Sequence, residues 1–157
     1  MPVMTNNGDI IIIDDDADDR EILQDVFSQV LEKNSYENKV IFLNDGYEAL
    51  EYLKSLTVQP FIIISDINMP RMNGFELREI IFNDDKLKSL CIPYVFLTTS
   101  EGSTDQVIQA YQMSVQGFFK KYDTMEDYCE MVEELLRYWK RSLKPYTNQS
   151  PLDNVNN

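Results

Sequence analysis

The segment Asp9-Ile10-Ile11-Ile12-Ile13-Asp14-Asp15-Asp16 constrains the fold more than any other stretch of the chain. Four β-branched residues in a row show no polar alternation, so a strand here has both faces buried. The acidic triplet ends the run before it reaches helical length. A short strand covered on both faces belongs in a parallel sheet sandwiched between helices. The pattern recurs at Phe61–Ser65, after Pro60, and at Tyr94–Leu97, after Ile92-Pro93. Val40–Leu43 and Gly117-Phe118-Phe119 read as two shorter strands.

Helical spacing fills the gaps between these runs. Ile22, Leu23, Val26, Phe27, Val30 and Leu31 mark a first helix, opened by Asp16 and Asp19, acidic groups that the helix dipole favours. Ala49, Leu50, Leu53 and Leu56 mark a second, and Phe75, Leu77, Ile80 and Ile81 a third. Val107, Ile108 and Tyr111 mark a fourth, and the stripe from Met125 to Trp139 a fifth. Five βα units in succession predict a three-layer α/β fold, a five-stranded parallel sheet flanked by five helices. One domain is expected over residues 8–143, with flexible ends at 1–7 and 144–157. Tyr138 and Trp139 cannot both face the core, so one of them is expected at the surface.

Charge and composition exclude several functions. A net charge of −13 repels nucleic-acid phosphates and anionic lipid, so neither is an expected partner. Histidine is absent, which removes Ser–His and Cys–His nucleophiles, His-ligated metals and histidine phosphotransfer. Cys91 and Cys129 form no Cys-x-x-Cys pair and are expected to be buried thiols. No signal-peptide pattern and no membrane-length apolar run occurs, so a cytoplasmic location is expected.

Strand ends carry the candidate chemistry. The first ends at Asp14-Asp15-Asp16, the third at Ser65-Asp66 and the fourth at Thr98-Thr99-Ser100, while Lys121 follows the fifth. In a parallel sheet these ends share one rim, where ligands bind. Two carboxylates about 4 Å apart repel by about 4 kcal/mol at an effective dielectric near 20. A cluster of them therefore calls for a cation, and an all-oxygen donor set suits Mg²⁺. Beside that ion, Asp66 is a candidate carboxylate nucleophile. Thr98 and Lys121 are candidates to bind phosphoryl oxygens. Asp16 reads as a helix cap, as do Thr99 and Ser100.

The strings IIIIDDD, IIISDINMPRMNG, IPYVFLTTS and GFFKK, in that order, resemble the receiver domains of two-component response regulators. The resemblance spans Asp9 to the last helix and implies a flavodoxin-like, CheY-like fold with strand order 2-1-3-4-5. It implies that Asp66 accepts a phosphoryl group from a histidine kinase or phosphotransfer protein. Mg²⁺ would be held by Asp15, Asp66 and the Asn68 backbone carbonyl, with Asp14 acting through water. Thr98 and Phe118 would be the switch residues, Lys121 the phosphoryl-binding lysine, and Asn68 and Ser100 the residues that tune phosphoryl lifetime. Output would pass to a protein target or through a homodimer, and the chain would be no enzyme beyond its own phosphoryl transfer and autodephosphorylation.

One departure stands out. The family follows this lysine with a cis proline, whereas Tyr122 stands here. A cis bond before a non-proline residue costs about 2.5–4 kcal/mol, so a trans bond is expected. That departure favours, as an alternative, a pseudo-receiver that binds partners without phosphorylation. A flavodoxin-like electron carrier fits poorly, because carboxylates stand where a flavin phosphate would sit. A haloacid-dehalogenase-type phosphatase lacks its second aspartate, since Asn68 occupies that position.

Overall fold

The computed structural model describes residues 5–99 and 103–145. Five strands form one parallel sheet: β1 (Ile10–Ile13), β2 (Val40–Leu43), β3 (Ile62–Ser65), β4 (Tyr94–Thr98) and β5 (Gly117–Lys120), in order β2-β1-β3-β4-β5. Side chains alternate across it. Ile11, Ile13, Ile63, Tyr94 and Phe96 face one side, while Ile10, Ile12, Ile62, Ile64, Val95 and Leu97 face the other. Both sets are buried, as the unbroken isoleucine runs require.

Two helices cover the second face: α1 (Ala17–Lys33), through Leu23, Val26, Phe27 and Val30, and α6 (Met125–Arg141), through Val132, Leu135 and Leu136. The first face carries α2 (Gly46–Lys54), α3 (Gly74–Asn83), α4 (Asp85–Lys88) and α5 (Thr104–Gln112). The five expected helices are present, and α4 is an additional single turn. Asp84 creates it: its N–H bonds Ile80 O at the end of α3, and its side chain accepts from Leu87 N to start the next turn. Sequence periodicity cannot register an element this short.

Several local expectations need correction. The N-cap of α5 is Ser103, in a capping box with Gln106, rather than Thr99 or Ser100. Cys91 is exposed in a left-handed turn (φ 51°) and Cys129 is only partly buried, so neither is a core thiol. Of the adjacent aromatic pair, Tyr138 is exposed and Trp139 packs against the core. Of the expected flexible ends, 1–4 and 146–157 lie outside the described residues. Thr5–Asn7, in contrast, form a 3₁₀ turn: Asn6 Nδ2 donates to Lys140 O, and Lys140 Nζ and Asn38 Nδ2 both donate to Asn6 O.

Candidate functional site

Ladder hydrogen bonds at the carboxyl edge of the sheet place each candidate side chain. Asp14 N donates to Leu43 O (3.1 Å), and Asp66 N donates to Ile13 O (2.9 Å). Lys121 N donates to Thr98 O (2.8 Å). Each residue is thus held by the neighbouring strand in the position just past its own strand end. Thr98 is the last residue of β4 and is buried. Strand geometry alone brings these four residues, far apart in the chain, to one rim.

Around the rim, one carboxylate oxygen from each of Asp14, Asp15 and Asp66 lies within 4.8 Å of the others. Asp14 and Asp66 are buried and Asp15 is exposed. Asp14 Oδ1 accepts from Asp16 N (2.9 Å), and Asp66 Oδ1 accepts from Ile67 N (2.7 Å). The Lys121 ammonium sits among the acids, donating to Asp14 Oδ2 (2.6 Å), Asp19 Oδ2 (2.9 Å) and Asp66 Oδ2 (3.3 Å). Arg20 Nη1 closes the back of the site on Asp14 O (2.7 Å).

Electrostatics follow from this geometry. Burial pushes the carboxyls of Asp14 and Asp66 above the usual carboxylate range, although Lys121 and backbone N–H groups pull both down. For Lys121, burial alone would lower the pKa, but the hydrogen bonds it donates to Asp14 and Asp19 and the charge of Asp66 hold it above its ordinary value. The donor set is oxygen only, carries excess negative charge, and has one solvent-facing member in Asp15. Those properties fit a hard divalent cation such as Mg²⁺.

The loop after β3 is shaped by close packing. Gly74 N donates to Ile67 O (2.7 Å), and a Cβ at Gly74 would stand 2.3 Å from Asp66 O. Only glycine fits there, which explains Gly74 behind the acidic strand end. Asn68 is exposed in this loop. Arg71, at φ 67°, reaches across to Asp45 Oδ2 (2.6 Å) at the N-cap of α2.

The structure therefore brings Asp14, Asp15, Asp66 and Lys121 together. Phe118 is set back from them, partly buried on the α2–α5 face, its ring edge-on to Phe96 at 6.1 Å. Ser100 lies outside the described residues. The Lys121–Tyr122 bond is trans, as expected for a non-proline. Tyr122 packs edge-on against Tyr128. Sequence reading missed the second task of Asp19, which it took only as a helix-start acid. The signal was available: Asp19 lies three residues beyond the cap Asp16, on the first turn of α1, facing the rim.

Fold and rim together define a doubly wound α/β domain that gathers acidic side chains and one lysine at its carboxyl edge. The family model for the response regulator receiver domain matches residues 10–133. Rcp1, a response regulator of Synechocystis, is 29% identical over 135 residues, covering 83% of this chain and 87% of its own. The chemotaxis protein CheY of Pseudomonas aeruginosa is 31% identical over 126 residues, covering 80% and 94%. Among solved structures, the phosphorylated cyanobacterial phytochrome response regulator RcpA superposes with a TM-score of 0.76 at 25% identity, covering 88% of this chain and 99% of its own. The Mn²⁺-bound form of Rcp1 superposes with a TM-score of 0.72 at 28% identity, with the same coverage. This chain belongs to the response regulator receiver domains, the modules of two-component signalling. No helix among the described residues is long and apolar enough to cross a membrane.

Proposed function

We propose that this chain is a phosphoacceptor response regulator. A histidine kinase or phosphotransfer protein donates a phosphoryl group to Asp66 in a Mg²⁺-dependent step, in the cytoplasm. The modified domain then binds a protein target or a second copy of itself. The observation that carries this reading is the convergence of three carboxylates and one buried ammonium: Asp14, Asp15 and Asp66 lie within 4.8 Å of one another, and Lys121 Nζ is 3.3 Å from Asp66. It is supported by two relatives, RcpA having been solved phosphorylated and Rcp1 with a divalent ion bound.

In the proposed step, an Asp66 carboxylate oxygen attacks the phosphorus of a phosphohistidine. The O–P bond forms, the P–N bond breaks, and its electron pair leaves on the imidazole, which takes a proton from solvent. Asp15, Asp66 and the Asn68 carbonyl would hold Mg²⁺, with Asp14 acting through water; when bound, the ion offsets negative charge on the carboxylates and phosphoryl oxygens. Lys121 pairs with the phosphoryl charge, Thr98 hydrogen-bonds a phosphoryl oxygen, and Phe118 re-packs with the strand that carries it. By the same resemblance, Asn68 and Ser100 set the lifetime of the group. Beyond its own phosphorylation and autodephosphorylation, the chain catalyses nothing.

Tyr122 gave the pseudo-receiver alternative its support. Against it stands Lys121, which reaches Asp66 without the proline. Incubation with acetyl phosphate and Mg²⁺, followed by intact-mass and peptide mapping, tests the proposal. A single adduct on Asp66, absent from Asp66→Asn, is expected. Folded protein that takes up no phosphoryl group would refute it.

A further inference from the structure

Asp19 stands apart from the acids around it. It occupies the third position of α1, where a carboxylate commonly reaches back to the N-cap amide and closes a capping box. Helices α3 and α5 do this through Glu76 and Gln106. In α1 the N-cap amide of Asp16 is instead taken by Asp14 Oδ1, at 2.9 Å. Asp19 is thereby released from capping, and its Oδ2 lies 2.9 Å from Lys121 Nζ.

An ammonium has three N–H donors, and Lys121 spends them on three carboxylates. Two of these are claimed by the chemistry. Asp66 becomes an acyl phosphate, a mixed anhydride, when phosphorylated, and Asp14 belongs to the acidic set that faces the cation. Asp19 is outside that set, in which Asp14, Asp15 and Asp66 are grouped. It is also the most solvent-accessible of the three partners, at 25% against 2% for Asp14 and 8% for Asp66. Asp19 is therefore the one anchor for the lysine that the reaction leaves unchanged.

We infer that Asp19 is a positioning residue for phosphoryl transfer: it holds the Lys121 ammonium at the rim while Asp14 and Asp66 change partners. The inference rests on the phosphoacceptor reading above and deepens it. It also accounts for how the lysine keeps its place with Tyr122, rather than a ring-locked proline, after it. The backbone of Lys121 is pinned by Thr98 O and its side-chain tip by Asp19. Without Asp19 the four-carbon stem keeps its freedom once the other partners are engaged. An ammonium misplaced by even about 1 Å stabilises the transferring group poorly.

The test compares phosphorylation rates with acetyl phosphate at saturating Mg²⁺ in the full chain, with Asp19→Ala, Asp19→Asn and Lys121→Ala, and each Asp19 change repeated on Lys121→Ala. Asp19→Ala is expected to slow adduct formation about tenfold, as loss of a positioned group does. Asp19→Asn, which keeps an oxygen acceptor in place, is expected to recover most of that loss. In the Lys121→Ala background the Asp19 changes are expected to have no further effect, because the two act as one unit. A merely structural Asp19 would lower the melting temperature in both backgrounds and leave the rate of the folded protein unchanged, which would overturn the inference. Equal slowing with and without Lys121 would overturn it too. If the unsubstituted chain forms no adduct, the phosphoacceptor reading itself fails, an outcome distinct from equal rates in the chain and its Asp19 variants.

Discussion

Replacing Lys121 with methionine is the sharpest perturbation of the rim, because it removes the charge and keeps the apolar stem. Lys121 is 8% exposed at its side chain and holds two buried carboxylates, Asp14 at 2.6 Å and Asp66 at 3.3 Å. Breaking a buried ion pair from one side costs about 3–5 kcal/mol, since a charge is left unpaired. Without metal at pH 7.5, Lys121→Met is expected to lose about 3 kcal/mol, toward the low end because a carboxyl can escape by taking a proton. In urea, with a slope near 2 kcal/mol/M, that moves the midpoint down by about 1.5 M.

The pH dependence gives the sign. Burial already raises the pKa of Asp14 and Asp66 in the folded chain, and Lys121 pulls both down. Removing the lysine raises them further, while the unfolded aspartates stay near about 3.9. Between the unfolded and folded values the native state binds more protons, so stability falls as pH rises through that window. Lys121 itself, with its folded pKa raised, stays charged throughout this range and adds no slope. The deficit of Lys121→Met is therefore smaller at pH 5 than at pH 7.5, and Mg²⁺ offsets part of it at the higher pH. Urea unfolding at both pH values, with EDTA and with Mg²⁺, measures each part. A loss equal at the two pH values would show lost packing rather than unpaired charge and refute the reasoning, as would a loss under about 1 kcal/mol.

Other expectations can be checked on the same protein. Asp15→Asn should leave the metal-free melting temperature nearly unchanged, since Asp15 is exposed, but should shrink the increase produced by Mg²⁺. That increase should also be smaller at pH 5 than at pH 7.5, because Asp14 and Asp66 must be ionised to hold the ion and burial makes them reluctant. Tyr128→Phe should be neutral or stabilising by up to about 1 kcal/mol in urea unfolding, since the Tyr128 hydroxyl is buried with no hydrogen-bond partner among the described residues. Gly74→Ala should cost about 3 kcal/mol and slow phosphorylation, as its Cβ meets Asp66 O at 2.3 Å. Hydrogen exchange should find the amides of α5 opening more readily than those of α1 or α6; equal protection would contradict its shallow burial.

Much of the sheet was legible because its signal is local. Ile10–Ile13 and Phe61–Ser65 tolerate no other environment than one covered on both faces, and every strand end carries a polar residue at a fixed offset. What escaped was information held between elements. The single turn of α4 depends on Asp84 ending one helix and starting the next. The start of α5 was set too early because Thr99 and Ser100 look as good a cap as Ser103, and only three-dimensional placement chooses among them. Cys91 lies between apolar residues, yet its left-handed backbone turns it outward. Asp19 is hidden for a related reason: an acid in the first turn already has a sufficient local explanation, and nothing local announces a lysine about a hundred residues away.

The uneven burial of the helices bears on where a signal can travel. α1 and α6 bury four and five side chains respectively, whereas α5 buries only Ala110 and leaves Ile108 and Tyr111 about half exposed. At about 1.5–3 kcal/mol for each large apolar side chain fully buried, displacing α6 would cost far more than displacing α5. A phosphoryl group on Asp66, as proposed above, would offer a few charge-assisted hydrogen bonds, each worth about 1.5–3 kcal/mol. Two or three of them reach the roughly 5.5 kcal/mol that turns a 1:99 population into 99:1. That sum is commensurate with re-packing α5 and falls short of re-packing α6. The path is short as well. Thr98 ends β4, Phe96 lies two residues before it, and Phe118 on β5 touches Phe96 edge-on. In the proposed switch, a pull on Thr98 would act on this lightly buried helix, and the α1–α6 layer would serve as the frame against which that face moves.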